Sequence, residues 1–169
     1  MSVIRVLNLC KNLTPGARSG LVDASRRQCY TARVFTQIDH IGLAVHDLDA
    51  ALHQYRHAFA LTAWEIIDLP ERHMRAAIAH VGESMIELIT PTSALAAFAR
   101  FLTTRGEGMH HVAYRVDDIV TAIADLRTRG VQVLDTTPRP GLHGTQVAFL
   151  HPASCHGTLV ELVQHTGQP

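Results

Sequence analysis

Four polar side chains draw attention because each is set into an apolar, strand-like stretch: His40 in Ile38-Asp39-His40-Ile41, Glu87 in Ile86-Glu87-Leu88, His111 in His110-His111-Val112-Ala113 and Glu161 in Val160-Glu161-Leu162. The His precedes the Glu by 47 residues in the first pair and by 50 in the second. Two imidazoles and two carboxylates suit one divalent cation that takes mixed nitrogen and oxygen donors, with the carboxylates offsetting its charge. No thiolate joins the set, which speaks against tetrahedral structural zinc. An octahedral ion such as Co²⁺, Mn²⁺ or Mg²⁺, keeping two positions for substrate or water, fits better. Any one of these residues alone reads as a hydrogen-bonded packing His or a solvated Glu. Their recurrence at matching places is what favours a metal.

The elements that must position them repeat as well. Ile38 to Val45 has the β-branched and apolar make-up of a short strand. Asp47 then stands at a helix N-cap, ahead of an apolar stripe formed by Leu48, Ala51, Leu52, Tyr55 and Phe59. Met74 to Val81 and Ser84 to Thr90 read as strands joined by a turn at Gly82-Glu83. Ser93 can cap a linking helix over about residues 93–105, carrying Phe98, Phe101 and Leu102 and stopping at Gly106. The order then restarts. His110 to Val116 is a strand, and Asp117 or Asp118 caps a helix with Ile119, Ala122, Ile123 and Leu126 on one face and Gly130 at its end. Val131 to Leu134, Gln146 to Leu150 and Thr158 to Val163 supply further strands, and Pro138-Arg139-Pro140-Gly141 a loop.

At an offset of 71, His40 falls on His111, Asp47 on Asp118, Leu52 on Ile123 and Tyr55 on Leu126. At the far end the offset is 74, and Ile86-Glu87-Leu88 falls on Val160-Glu161-Leu162. This is an internal duplication, with module one at about 37–91 and module two at about 108–165 of a domain spanning 37–166. Side chains alternate along a strand, so if Ile86 and Leu88 pack on one face, Glu87 lies on the other; Val160 and Leu162 make the same argument for Glu161.

Composition narrows the field. Apolar residues make up 47% of the chain, enough for a buried core. No apolar run approaches the roughly 20 residues of a membrane-spanning helix. Residues 1–36 hold six basic residues and the single acid Asp23, whereas the remainder holds nine arginines and fourteen acids. A mildly acidic body argues against nucleic-acid binding. The basic stretch reads as a flexible extension or as an organelle-targeting presequence, so the expected location is cytoplasmic, or the mitochondrial matrix if it is a presequence. Cys10, Cys29 and Cys155 are odd in number and scattered, suggesting neither a disulfide framework nor a zinc site.

The motifs around these residues resemble those of the methylmalonyl-CoA epimerases. They include Ile38-Asp39-His40-Ile41 with Ala44-Val45-His46-Asp47-Leu48, and Gly106-Glu107-Gly108-Met109-His110-His111-Val112-Ala113 with Val116-Asp117-Asp118-Ile119. Pro140-Gly141-Leu142-His143-Gly144, Val147-Ala148-Phe149-Leu150-His151-Pro152 and Leu159-Val160-Glu161-Leu162 complete them. The resemblance covers about residues 37–165 and extends to the vicinal oxygen chelate superfamily. It implies an α+β fold in which two paired βαβββ modules form a cup-shaped mixed β-sheet around a metal. His40, Glu87, His111 and Glu161 fall on the ligand positions, for one divalent ion that is Co²⁺ before Mn²⁺, Mg²⁺, Ni²⁺ or Zn²⁺. It also implies an acyl-CoA substrate, a homodimer, and proton transfer by Glu161 and Glu87. His143 lies in a loop similar to one near substrate. Some relatives carry another Glu on the strand matching residues 74–80, and this chain has none there, so Glu87, Glu71, His73 or a water stay open as the second proton carrier. The alternatives on this fold are a glyoxalase I-like lyase acting on a glutathione hemithioacetal, an extradiol dioxygenase, and a non-catalytic ligand-binding protein.

Overall fold

The structure is a computed structural model and describes residues 33–167. The basic stretch through Ala32, with Cys10 and Cys29, lies outside the described residues. Eight strands and three α-helices follow in the order β1 (Gln37–Ala44), α1 (Leu48–Ala58), β2 (Glu65–Leu69), β3 (Met74–Val81), β4 (Ser84–Pro91), α2 (Ala99–Arg105), β5 (Gly108–Arg115), α3 (Ile119–Thr128), β6 (Arg139–Pro140), β7 (Thr145–Leu150) and β8 (Leu159–His165). Among the described residues no helix is long and apolar enough to cross a membrane.

The strands form one curled mixed sheet in the order β2-β3-β4-β1-β5-β8-β7-β6. Its middle is a pseudo-symmetric joint. β1 pairs antiparallel with β5, β1 runs parallel to β4, and β5 runs parallel to β8. Each module thus places its first and last strands side by side, and the two modules meet first strand to first strand.

The helices fold where local chemistry starts them. The Asp47 carboxylate accepts from the backbone N–H groups of Asp49 and Ala50, and the Asp118 carboxylate from that of Thr121. Each helix then lays its apolar stripe on the convex face of its own module. Leu48 and Leu52 pack with Ala77 and Leu88, joined by Ile86. Ile119, Ala122, Ile123 and Leu126 pack with Ala148, Leu150, Val160 and Leu162. Burying each leucine, isoleucine or valine among them contributes roughly 1.5–3 kcal/mol. Cutting back fully buried Leu88 or Leu162 to Ala should cost about 2–5 kcal/mol. Because Ile86 and Leu88 are spent on α1, and Val160 and Leu162 on α3, strand alternation sends Glu87 and Glu161 to the concave side.

Three local expectations differ from the structure, and one strand, β2, was not expected. The Pro138-Arg139-Pro140-Gly141 stretch, expected as a loop, contains the two-residue strand β6, in which Arg139 pairs with Val147 and Pro140 with Gln146. The linking helix is shorter than residues 93–105: Ser93 closes a turn with Leu95, a second turn joins Ala96 to Ala99, and only Ala99–Arg105 is helical, ending at Gly106 with φ 77°. Val131–Leu134 contributes a single bridge from Val133 to Leu150, because Asp135 follows at once and its carboxylate takes the Phe149 N–H. Strand β2 carried no signal in its sequence. Glu65-Ile66-Ile67-Asp68-Leu69 does not alternate, since an edge strand has one neighbour and no consistently covered face. Phe35, at the end of the basic stretch, stacks on Tyr114 with ring centroids 4.5 Å apart.

Candidate active site and metal centre

The joint between β1 and β5 determines where the four polar residues meet. His40 pairs with Ala113, and Gly42 pairs with His111. One strand further out on each side, Glu161 stands beside Ala113 and Glu87 beside Gly42. Each imidazole therefore shares a row with the carboxylate of the other half of the sheet, and only a glycine or an alanine separates them. Over those small residues the side chains lean together. His40 Nε2 and His111 Nε2 are 3.0 Å apart, and Glu161 Oε2 is 3.2 Å from each. Glu87 Oε2 stands slightly further out, 3.7 Å from His40 Nε2 and 3.5 Å from His111 Nε2.

These distances suit a shared ion. Two donors at right angles around a cation about 2.1 Å away stand about 3.0 Å from each other. His40, His111 and Glu161 each offer one donor atom to a group lying within 4.8 Å, the candidate metal site among the described residues, and Glu87 is not part of that group. The electrostatics point the same way. Burial works against charge on His40, but the Asp39 hydrogen bond and the Glu161 carboxylate override it and raise the imidazole to about 10. Burial likewise opposes charge on Glu161, yet hydrogen bonds from His111 and His40 hold it down at about 2. Burial raises Glu87 against the pull of the two histidines. A buried site that keeps the Glu161 anion beside the raised imidazole of His40 is one that favours positive charge, of the kind a divalent cation would supply.

The quartet lies in a cavity of about 550 Å³ inside the curled sheet. Ile78, Val147 and Phe149 give it apolar walls, and Arg115, Arg139 and His80 add polar lining. His143 is at the rim, half exposed, with Nε2 3.1 Å from Glu65 Oε1 of the opposite edge strand. Arg72 reinforces that crossing by donating to the Pro140 carbonyl. Glu71, in the turn at Pro70–Arg72, and His73, which follows that turn, also line the cavity.

Sequence reasoning missed the residues behind the two histidines. Asp39 is 1% exposed and fully engaged: Oδ1 pairs with His40 Nδ1 at 3.0 Å, and Oδ2 takes Arg115 through Nε and a terminal nitrogen, with His165 Nε2 at 2.6 Å. Burial would raise this carboxyl, but the hydrogen bonds from His40, His165 and Arg115 hold it far below the ordinary range. Strict alternation would point Asp39 away from His40. A register irregularity between Ile38 and His40 turns both inward, and nothing in the residue types announces it.

A curled sheet of two repeated modules is the fold of the glyoxalase/bleomycin resistance protein/dioxygenase superfamily, and the model of that family matches residues 39–149. The chain is 35% identical over 129 residues to the mitochondrial methylmalonyl-CoA epimerase of Bos taurus, covering 76% of this chain and 74% of that one. It is 35% identical over 130 residues to the ethylmalonyl-CoA/methylmalonyl-CoA epimerase of Cereibacter sphaeroides, covering 76% and 97%. A Streptomyces coelicolor methylmalonyl-CoA epimerase variant solved with 2-nitronate-propionyl-CoA superposes with a TM-score of 0.74 at 38% identity, over 79% of this chain and 99% of that one. The chain belongs to the methylmalonyl-CoA epimerase family of that superfamily, a family of isomerases.

Proposed function

We propose that the protein interconverts (R)- and (S)-methylmalonyl-CoA with a divalent cation, Co²⁺ foremost, held by His40, Glu87, His111 and Glu161. The observation that carries this reading is the convergence of those four side chains in one cavity, with His40, His111 and Glu161 donor atoms 3.0–3.2 Å apart and Glu87 Oε2 3.5–3.7 Å from the two imidazoles. The relatives' names supply the acyl-CoA class of substrate.

The carbon between a thioester and a carboxylate gives up its proton only if the resulting charge spreads into an enolate and is met electrostatically. A divalent cation, when bound, supplies that stabilisation as a Lewis acid. The chain's own groups move the proton. Glu161, kept ionised by two imidazoles, takes it on one face through a carboxylate oxygen. Return to the opposite face needs a second carrier. Glu87, the other carboxylate beside the two imidazoles, is assigned that role. Glu71 and His73 line the same cavity as further carriers, and β3 brings no carboxylate to it. Ile78, Val147 and Phe149 limit water around the reacting carbon. His143, at the rim, meets the part of the substrate remote from the chemistry.

Exchange of the α-proton of methylmalonyl-CoA in heavy water tests the reading, with the glutathione–methylglyoxal hemithioacetal as control. Exchange of the first without turnover of the second is expected. Exchange of neither by fully metallated protein overturns the epimerase reading. A homodimer and a cytoplasmic location belong to the same proposal. Light scattering of purified protein tests the first and imaging of the native protein the second, where a mitochondrial signal favours the presequence alternative.

A further inference from the structure

The pairing of β1 with β5 contains two irregularities, and they are related by the duplication. Between Ile38 and His40 the register skips Asp39, and between the pairs Gly42–His111 and Leu43–Met109 it skips His110. Asp39 and His110 are separated by the same 71 residues as His40 and His111. An extra residue in one strand of an antiparallel pair is freed from alternation and can re-aim its side chain. Both side chains have turned to the neighbouring imidazole. Asp39 Oδ1 is 3.0 Å from His40 Nδ1, and His110 Nδ1 is 3.1 Å from His111 Nδ1.

We infer that Asp39 and His110 are paired positioning residues, each fixing the following histidine through Nδ1 so that Nε2 is the atom offered to the cation. This rests on the metal-dependent reading above. Proton placement follows from the contacts. His40 must carry hydrogen on Nδ1, because a carboxylate can only accept, and that leaves Nε2 as its donor atom. His111 Nδ1–H can donate to His110 Nδ1, which requires the His110 proton on Nε2. His110 is held for this by Phe98 and Phe101, with ring centroids 5.7 and 5.1 Å away. Asp39 is held by Arg115 and His165.

The two supports are equivalent in place and different in chemistry. A buried anion backs His40, and a ring nitrogen backs His111. Hydrogen bonding to a carboxylate makes an imidazole a more basic ligand, so His40 is the stronger and His111 the weaker of two ligands that the duplication made alike.

Two measurements on the full chain test this. In zinc-loaded protein, side-chain nitrogen NMR should find both His40 and His111 protonated at Nδ1. Either one protonated at Nε2 overturns the inference without any variant. Co²⁺ titration, followed by visible absorption and calorimetry, should show about 10–100-fold weaker binding for Asp39→Asn. Asp39→Glu should recover part of that loss. His110→Phe keeps the packing on Phe98 and Phe101 but loses the acceptor, and should weaken binding less than about tenfold. Folded Asp39→Asn that binds Co²⁺ as wild type does, with an unchanged spectrum, overturns the positioning role while leaving the metal reading intact. Wild-type protein that takes up no divalent cation overturns both.

Discussion

Gly42 stands directly opposite His111 in the β1–β5 pairing, and the space its missing side chain leaves is where the imidazole lies. A Cβ on Gly42 would come within 2.6 Å of His111 Nε2, and closer still to other atoms of the ring. The contact is with the flat body of a buried ring, so the ring must move. Gly42→Ala should therefore lower α-proton exchange by about 10²-fold or more, the scale of an ångström-sized misplacement. Co²⁺ titration of the same variant should weaken in parallel. Wild-type rates in Gly42→Ala would mean the ring's position does not matter to the reaction.

Glu161 is the group with the clearest double duty. Glu161→Gln keeps an oxygen donor but cannot take a proton, so kcat should fall by about 10²–10⁴-fold while some cation binding survives. Glu87→Gln should cost less if Glu161 is the principal base. A larger loss at Glu87 would reverse the assignment, and steady-state kinetics on both variants decides it.

Cation removal should act on stability as well as on activity. A chelator should abolish exchange, and added Co²⁺ should restore it. By mass action, cation at about 1,000 times its Kd stabilises the folded state by about 4 kcal/mol. Thermal melts with and without chelator read this directly.

The cation-free protein should lose stability in alkali. His40, raised to about 10 by Asp39 and Glu161 against the opposing effect of burial, contributes stability that is complete below its ordinary value near 6.5. That contribution disappears as pH rises through about 10. On the acid side Glu161, lowered to about 2, contributes stability present above its ordinary range and lost as pH falls through that value, while Glu87, raised by burial, works against it. The alkaline limb is the diagnostic one. Urea midpoints of chelator-treated protein should fall between pH 7 and 10, and Asp39→Asn should flatten that slope.

The His143–Glu65 contact crosses the cavity mouth between opposite edges of the sheet, with both side chains at least half exposed. An exposed pair of this kind is worth about 0–1 kcal/mol, so Glu65→Gln should barely change the melting temperature. Its effect should be on KM more than kcat, because the pair lies at the entrance and not beside the quartet.

The duplicated order of elements was legible in residue types alone. Asp47 and Asp118 announce the two helices, Leu48–Leu52 and Ile119–Ile123 their buried stripes, and the 71-residue offset the repeat. His40, Glu87, His111 and Glu161 could be picked out because a polar residue inside an apolar strand must have a partner or face water, and strand alternation assigns each Glu a face. Which strands lie side by side was decided by tertiary structure, because β1 finds β5 and β4 through contacts far apart in the chain. The same pairing decided that Gly42 and Ala113 are the gaps over which imidazoles and carboxylates reach each other. It also decided that Asp39 and His110 leave the alternation at register slips, where a local pattern assigns them the wrong face. Periodicity is a property of one strand; a bulge and a close approach are properties of two.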